Sequence, residues 1–398
     1  MKKYIERTQY LDRLKGLIGT PDIKIITGIR RCGKSELLHA FVSYIENNIK
    51  MANVIFVDFF NLEYEELKNY KALYDYVEKK YVKDKINLVF IDEVQLCENF
   101  ELAVNSLHNS KKYDIYITGS NAFLLNSDLT TLFTGRFLEI PVYPFSFKEF
   151  SLYYSEVKSK KNKLDDYVLK GGLAGSYEYT NETDRKAYLK DVYSTIIRRD
   201  LIKKYQITDV DSLEHLAEFM MDNISNITSP NNISNVLNIN KIPANHVTIG
   251  KYIKCLCAAF LFYGTKRFDV KGKKYLETSE KYYLADLGIR GAVLGSRNID
   301  YGRCYENIVA IELLRRGYEI YVGKLYQKEI DFVAMKGDEK IYIQVSDNIT
   351  AEATFKREID SLLQIRDAYP KILIANTSHP EYQYEGIKIV DISDWLLS

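Results

Sequence analysis

The stretch "GIRRCGKS", residues 28–35, decides the fold. Its pattern, G-x-x-x-x-G-K-S, carries meaning only where a strand enters the loop and a helix leaves it. Both flanks are present. "IKIIT" (23–27) predicts a short buried strand, and Leu37, Leu38, Phe41, Val42 and Ile45 recur at helical spacing. A loop so placed aims backbone N–H groups and a helix dipole at an anion. Gly28 and Gly33 allow a close backbone approach that a Cβ would block. Lys34 is expected to reach the β- and γ-phosphates of ATP, and the Ser35 hydroxyl to bind Mg2+. Ile29, Arg30, Arg31, Cys32 and Glu36 complete the expected nucleotide-binding segment. Of these, Arg30 and Arg31 occupy variable loop positions and are expected to face another domain or subunit.

The second half of a hydrolytic site follows. "LVFIDE" (88–93) is an apolar strand ending in two carboxylates. Asp92 is expected in the magnesium shell and Glu93 as the group that polarises water. An Asp-Glu pair favours hydrolysis over transfer, because a small-molecule kinase needs no water-activating glutamate. A third apolar strand, "IYITGSN" (115–121), ends where strand ends line a ligand crevice. Ser120 or Asn121 is expected to sense the γ-phosphate or orient water. Beyond it Arg136 is a candidate to stabilise transition-state charge, within its own subunit or in a neighbouring one.

With "GRF" (135–137) and "YPFSFKEF" (143–150), these motifs resemble AAA-type ATPases of bacteria and archaea that carry a C-terminal domain of uncharacterised function. The resemblance continues through "GGLAGSY" (171–177), "YSTIIRRDLIKKY" (193–205) and "KYYLADLGIR" (281–290), so it spans nearly the whole chain. It implies an α/β fold with a parallel-sheet P-loop ATPase core.

Composition agrees with a soluble globular protein of several domains. Apolar residues make up 46% and charged residues 27% of the 398 positions. Fifty-five basic against 54 acidic side chains leave a net charge of +1, so contact with nucleic acid must be local. The first residues, "MKKYIERTQYLDRL", lack the apolar core of a signal peptide, and the longest apolar run, "CLCAAFLFY" (255–263), is too short to span a membrane. A cytoplasmic location is expected. The five cysteines include no C-x-x-C pair and read as reduced thiols.

The chain divides by pattern into four segments: an ATPase core (1–145), a helical lid (146–208), a winged helix-turn-helix (209–283) and a restriction-endonuclease-like domain (284–398). The lid reading rests on amphipathic segments such as "KAYLKDVYSTIIRRDLIKKY", interrupted by "KGGLAGSY" as a hinge or a turn. The winged-helix reading rests on three helical stretches followed by a hairpin. Residues 251–281 hold eight Lys/Arg against three Asp/Glu. Lys266, Arg267, Lys271, Lys273 and Lys274 would decorate the wing, where they are candidates to meet DNA phosphates.

The last segment resembles a nuclease outline with parts missing. Glu306 stands at the helix glutamate position and Asp331 at the hairpin aspartate position, but the acid-x-Lys position reads Gln344-Val345-Ser346. The Gln344 amide offers magnesium a neutral oxygen, and Ser346 lacks the lysine's charge. An inactive or very weak nuclease is expected, unless a neighbour such as Asp347 or Glu329 completes the site. Three readings compete: an ATPase moving its lid and wing, a nucleotide-gated module that binds DNA or a partner protein with little turnover, and an ATP-dependent nuclease. An arginine finger acting in trans would further require a homo-oligomer.

Overall fold

A computed structural model describes residues 5–119, 133, 135–157, 159–242, 244–295, 297, 299–377 and 379–398. The expected Ser120 and Asn121 lie outside the described residues. The chain forms two compact units, one on residues up to Val142 with Ala258–Phe260, the other on Tyr143–Cys257 and Leu261–Ser398. Apart from Ala258–Phe260, the segments read as lid, wing and nuclease outline thus fall in one unit. Among the described residues, no helix is long and apolar enough to cross a membrane.

The first unit runs α1 (Thr8–Gly16), β1 (Ile23–Thr27), α2 (Lys34–Asn48), β2 (Ala52–Asp58), α3 (Tyr70–Lys79), β3 (Ile86–Asp92), α4 (Phe100–Asn109), β4 (Tyr113–Thr118) and β5 (Phe137–Pro141). Its strands pair in the order β2-β3-β4-β1-β5, and every pairing is parallel. Parallel strands covered on both faces need near-continuous apolar runs, and β1, β3 and β4 supply them. Under α2 the rings of Phe41, Phe90 and Tyr116 meet at centroid distances of 5.0–5.9 Å.

One residue of β1 breaks the apolar run. Lys24 is fully buried, and its Nζ bonds Asp114 Oδ1 and the Thr20 carbonyl, each at 2.6 Å. Asp114 also accepts from the Gly19 N–H, so the buried charges are paired and hydrogen-bonded.

The second unit opens with the helices Phe147–Tyr153, Lys160–Lys170 and Glu182–Thr195, the last continuing as a π-helical stretch over Ile196–Ile202. Helices Val210–Asp222, Pro230–Ile239 and His246–Ala258 follow. Next come β6 (Phe262–Asp269) and β7 (Lys274–Leu284), then helices Leu287–Val293 and Tyr301–Arg315. The chain ends with β8 (Glu319–Leu325), β9 (Lys328–Lys336), β10 (Glu339–Ser346), helix Glu352–Leu363, β11 (Lys371–Ala375), β12 (Tyr382–Tyr384), β13 (Ile387–Asp391) and helix Ile392–Leu397.

The hairpin β6–β7 is not a free wing. It forms one edge of an eight-stranded sheet, order β12-β13-β11-β10-β9-β8-β6-β7, because β6 pairs in parallel with β8. Of the two alternatives for "KGGLAGSY", hinge or turn, the contacts fit the turn. The buried Asp286 carboxylate accepts from the Gly172, Leu173 and Ile289 N–H groups, so it caps one helix and clamps the glycine turn. A Cβ on Gly171 would lie 2.2 Å from Asp286 Oδ1, which is why glycine is required there. Burial pushes the Asp286 carboxyl up to about 6.

Candidate functional site

The phosphate loop joins β1 to α2. Gly28 has φ +139, and a Cβ there would come 2.1 Å from the Val142 carbonyl oxygen. Gly33 has φ +98 and opens α2 in the left-handed conformation. No ordinary side chain suits either position. Arg31 is exposed at the loop's outer turn, with a positive φ of its own. Arg30 and Ser35 are half-buried, Glu36 is exposed, and Ile29 and Cys32 are buried. Lys34 is buried, and its ammonium donates to the Gly28 carbonyl at 2.8 Å and the Ile29 carbonyl at 3.2 Å. The lysine is thus held against the loop by two of its three donors.

Strand register brings the carboxylates to the same edge of the sheet. Ile26 pairs with Thr118, and Ile91 with Ile117, so Asp92 stands beside Thr118, level with the start of the loop. Thr118 is fully buried and joins the two acids. Its hydroxyl donates to Asp92 Oδ1 and accepts from the Glu93 N–H at 3.0 Å. Glu93 sits in the left-handed region at φ 54, and its carboxylate accepts from Gln95 Nε2. A glutamate in this sparsely populated conformation stores strain of the kind found where a side chain must be aimed. Sequence reasoning passed over Thr118 in favour of Ser120 and Asn121. The signal was available, since threonine is the first polar residue after the apolar run of the strand beside β3.

Arg136 is not brought to this edge. It precedes β5, its carbonyl accepts from the Ile23 N–H, and its Nη1 donates to Asn109 Oδ1 at 2.8 Å. β5 runs parallel to β1, with Phe137 opposite Ile23 and Pro141 opposite Thr27. At roughly 3.3 Å per residue, Arg136 lies about 16 Å from the level where the loop begins. It therefore does not serve the phosphate loop of its own chain in this arrangement.

The second unit gathers a different set of charges. Lys281 on β7 is buried, with Nζ 2.7 Å from Glu306 Oε1, 2.6 Å from Glu329 Oε1 and 3.5 Å from Asp331 Oδ1. Tyr283 donates to the same Glu306 oxygen at 2.8 Å, and the Val345 N–H donates to Asp331 Oδ2. Glu306 and Asp331, placed together from sequence, do converge. Gln344 lies beside them: its oxygen accepts from the Asp331 N–H, and its amide donates to Glu358. Ser346 turns away to the Asn348 carbonyl. The positive charge at this cluster is Lys281, on a strand distant in sequence.

Burial and the nearby Asp331 push Glu306 up to about 8, and burial pushes Asp331 up to about 6. Burial alone would lower Lys281, but the three carboxylates override it and hold its pKa above the ordinary value. One ammonium among three carboxylates leaves excess negative charge, and a retained proton relieves it. Next to Glu306, Asn307 exchanges two hydrogen bonds with the Leu284 backbone, docking the helix Tyr301–Arg315 onto β7. That helix is buried at every position from Cys304 to Leu313.

The five expected basic residues lie on β6, β7 and the turn between them. Lys266, Lys271, Lys273 and Lys274 are exposed, and Arg267 is half-buried. Lys271 Nζ sits 4.7 Å from the centre of the exposed Tyr326 ring.

Comparison with known proteins agrees with the first unit's geometry. Residues 20–151 match the AAA domain family, and residues 161–300 and 301–395 match two domains of unknown function, DUF8612 and DUF4143. An uncharacterized protein of Haemophilus influenzae is 38% identical over 402 residues, covering 100% of this chain and 99% of that one. The chain belongs to this AAA-domain family. An uncharacterized protein of Methanocaldococcus jannaschii is 26% identical over 388 residues, covering 94% of this AAA-domain chain and 85% of its relative. Among solved structures, AMPPCP-bound DnaA from Aquifex aeolicus is 15% identical at a TM-score of 0.34, covering 64% of this chain and 89% of its own.

Proposed function

We propose that the chain binds ATP at Gly28–Ser35 and hydrolyses it. The observation that carries this reading is Thr118, which ties Asp92 and Glu93 together at the sheet edge from which the phosphate loop springs. The loop's N–H groups and the third donor of Lys34 take the β- and γ-phosphate oxygens. Ser35 and Asp92 offer the hard oxygens that suit magnesium, and Thr118 fixes the orientation of the Asp92 carboxylate. When bound, the ion would supply charge neutralisation between the β- and γ-phosphates. Glu93 accepts a proton from water as its oxygen attacks the γ-phosphorus. The bond to the β-phosphate oxygen breaks, leaving ADP and phosphate.

The hydrolytic cycle then works as a conformational drive on DNA or a partner protein, with the basic hairpin as the DNA contact. Arg136 serves, on this reading, only a site of a neighbouring copy. Nucleotide binding and steady-state turnover of Lys34→Ala and Glu93→Gln test the proposal. Lys34→Ala abolishes binding, whereas Glu93→Gln binds ATP as the wild type does and turns over at least a hundredfold more slowly. Normal hydrolysis by Glu93→Gln would refute the role given to the glutamate.

A second reading concerns the charges around Lys281. Lysine and Glu329 make good the losses at Ser346 and Gln344 in kind, as a nuclease would require. Yet the ammonium already stands within 3.5 Å of all three carboxylates, where a metal ion would have to sit. We propose that this cluster is a structural lock and not a nuclease centre. Cleavage of plasmid DNA with magnesium or manganese, lost in Asp331→Ala, would overturn that assignment.

A further inference from the structure

Arg7 lies outside the nucleotide-binding segment read from the sequence, yet its side chain reaches the phosphate loop. It is the residue before α1 and is 6% exposed. Its Nη1 donates to the Cys32 carbonyl at 3.0 Å, across 25 residues of chain. The guanidinium carbon sits 4.5 Å from the centre of the Tyr10 ring, which restricts where the group can swing. A Cβ built on Gly33 would come 3.8 Å from the same Nη1, so the guanidinium rests against the Cys32–Gly33 peptide itself.

Peptide geometry supplies the consequence. In a trans peptide the C=O and N–H point to opposite sides of the chain. A donor clamped on the Cys32 carbonyl therefore turns the Gly33 N–H away from Arg7. That N–H belongs to the first residues of α2, the group of donors that a helix start presents to an anion. Glycine gives this peptide wide rotational freedom, and no side chain at position 33 limits it. The clamp supplies the missing restraint and polarises the peptide in the direction that strengthens its N–H as a donor.

We infer that Arg7 is a positioning residue for the polyphosphate: it holds the Cys32–Gly33 peptide so that the Gly33 N–H faces the bound phosphates. The inference rests on the ATP-site reading above and adds to it a residue that touches no reacting atom.

The test compares the full-length wild type with Arg7→Ala, Arg7→Lys and Lys34→Ala. A fluorescent ATP analogue gives Kd, and ATPase assays give KM and kcat separately. A Gly33 N–H turned out of line forfeits up to one net hydrogen bond to the phosphates, about tenfold in affinity. Arg7→Ala is therefore expected to raise Kd and KM about tenfold and to keep kcat within about twofold. Arg7→Lys, which retains a charged donor, recovers part of the loss. A purely structural role would lower the melting temperature without nucleotide and leave Kd, measured well below melting, at the wild-type value. Wild-type Kd in both Arg7 variants, with binding lost in Lys34→Ala, would overturn the inference alone. Failure of the wild type to bind the analogue would overturn the ATP-site reading and this inference with it.

Discussion

Lys281→Met keeps most of the side chain's length and removes the ammonium. The lysine side chain is 3% exposed, and those of Glu306 and Asp331 are 11% and 10% exposed. Taking one partner from a buried ion pair costs about 3–5 kcal/mol. Glu329, at 37% exposure, contributes little to that loss because water screens it. The buried carboxyls can respond by binding protons, which makes the penalty depend on pH. An acid whose folded pKa exceeds its unfolded value binds protons more tightly when folded, so stability falls as pH rises between the two values. The window runs from 4.5 to about 8 for Glu306 and from 3.8 to about 6 for Asp331. Lys281 adds no slope of its own in this window, since its raised pKa contributes stability that is fully present below 10.5. Without the ammonium, the loss should be about 1 kcal/mol at pH 5, where Glu306 keeps its proton, and about 3–5 kcal/mol at pH 8. The chain's single tryptophan, Trp395, stacks 4.3 Å from the Arg316 guanidinium in the same unit, so its fluorescence reports unfolding there. Urea titrations at the two pH values measure the difference. Equal losses at pH 5 and pH 8, or wild-type stability at pH 8, would refute the lock.

Thr118→Val removes both hydrogen bonds that join Asp92 and Glu93, and should lower kcat about 10- to 100-fold with KM little changed. A large rise in KM alone would place Thr118 in binding instead. Asp114→Asn leaves the fully buried Lys24 without its counter-charge and should destabilise the first unit by about 3 kcal/mol, read by far-UV circular dichroism in urea. An unchanged midpoint would mean that the Thr20 carbonyl alone suffices for the ammonium. Changing Lys271, Lys273 and Lys274 to Glu should weaken DNA binding uniformly across sequences and reduce the salt slope by about three. A slope equal to the wild type's would move the DNA contact elsewhere.

The phosphate loop and the strand before Asp92 were legible because both are local: a fixed spacing of glycines and lysine, and an apolar run ending in acids. Lys24 was not, since its partner lies 90 residues away and nothing in "IKIIT" announces a buried charge. The hairpin at 262–284 was readable as a hairpin, but its strand pairing to β8 joins Arg267 to Val322 and leaves no trace in either segment. The same distance hid Lys281. The strand holding Ser346 gives no hint of a lysine, and only the sheet shows that β7 brings one to Glu306 and Asp331. Arg136 was placed by its order after β4, whereas the parallel register of β5 puts it at the far edge.

The parallel pairing of β6 with β8 also bears on where the chain can be divided. The two stretches that match separate domains of unknown function meet between residues 300 and 301. The eight-stranded sheet crosses that seam, with β6 and β7 on one side and β8 to β13 on the other. A chain cut there would expose the unpaired edges of β6 and β8 and separate Lys281 from its three carboxylates. A ribosome must likewise deliver residues beyond 322 before the hairpin finds its neighbour. The boundary between the two matched stretches is thus no boundary in the fold, since one sheet is built from both.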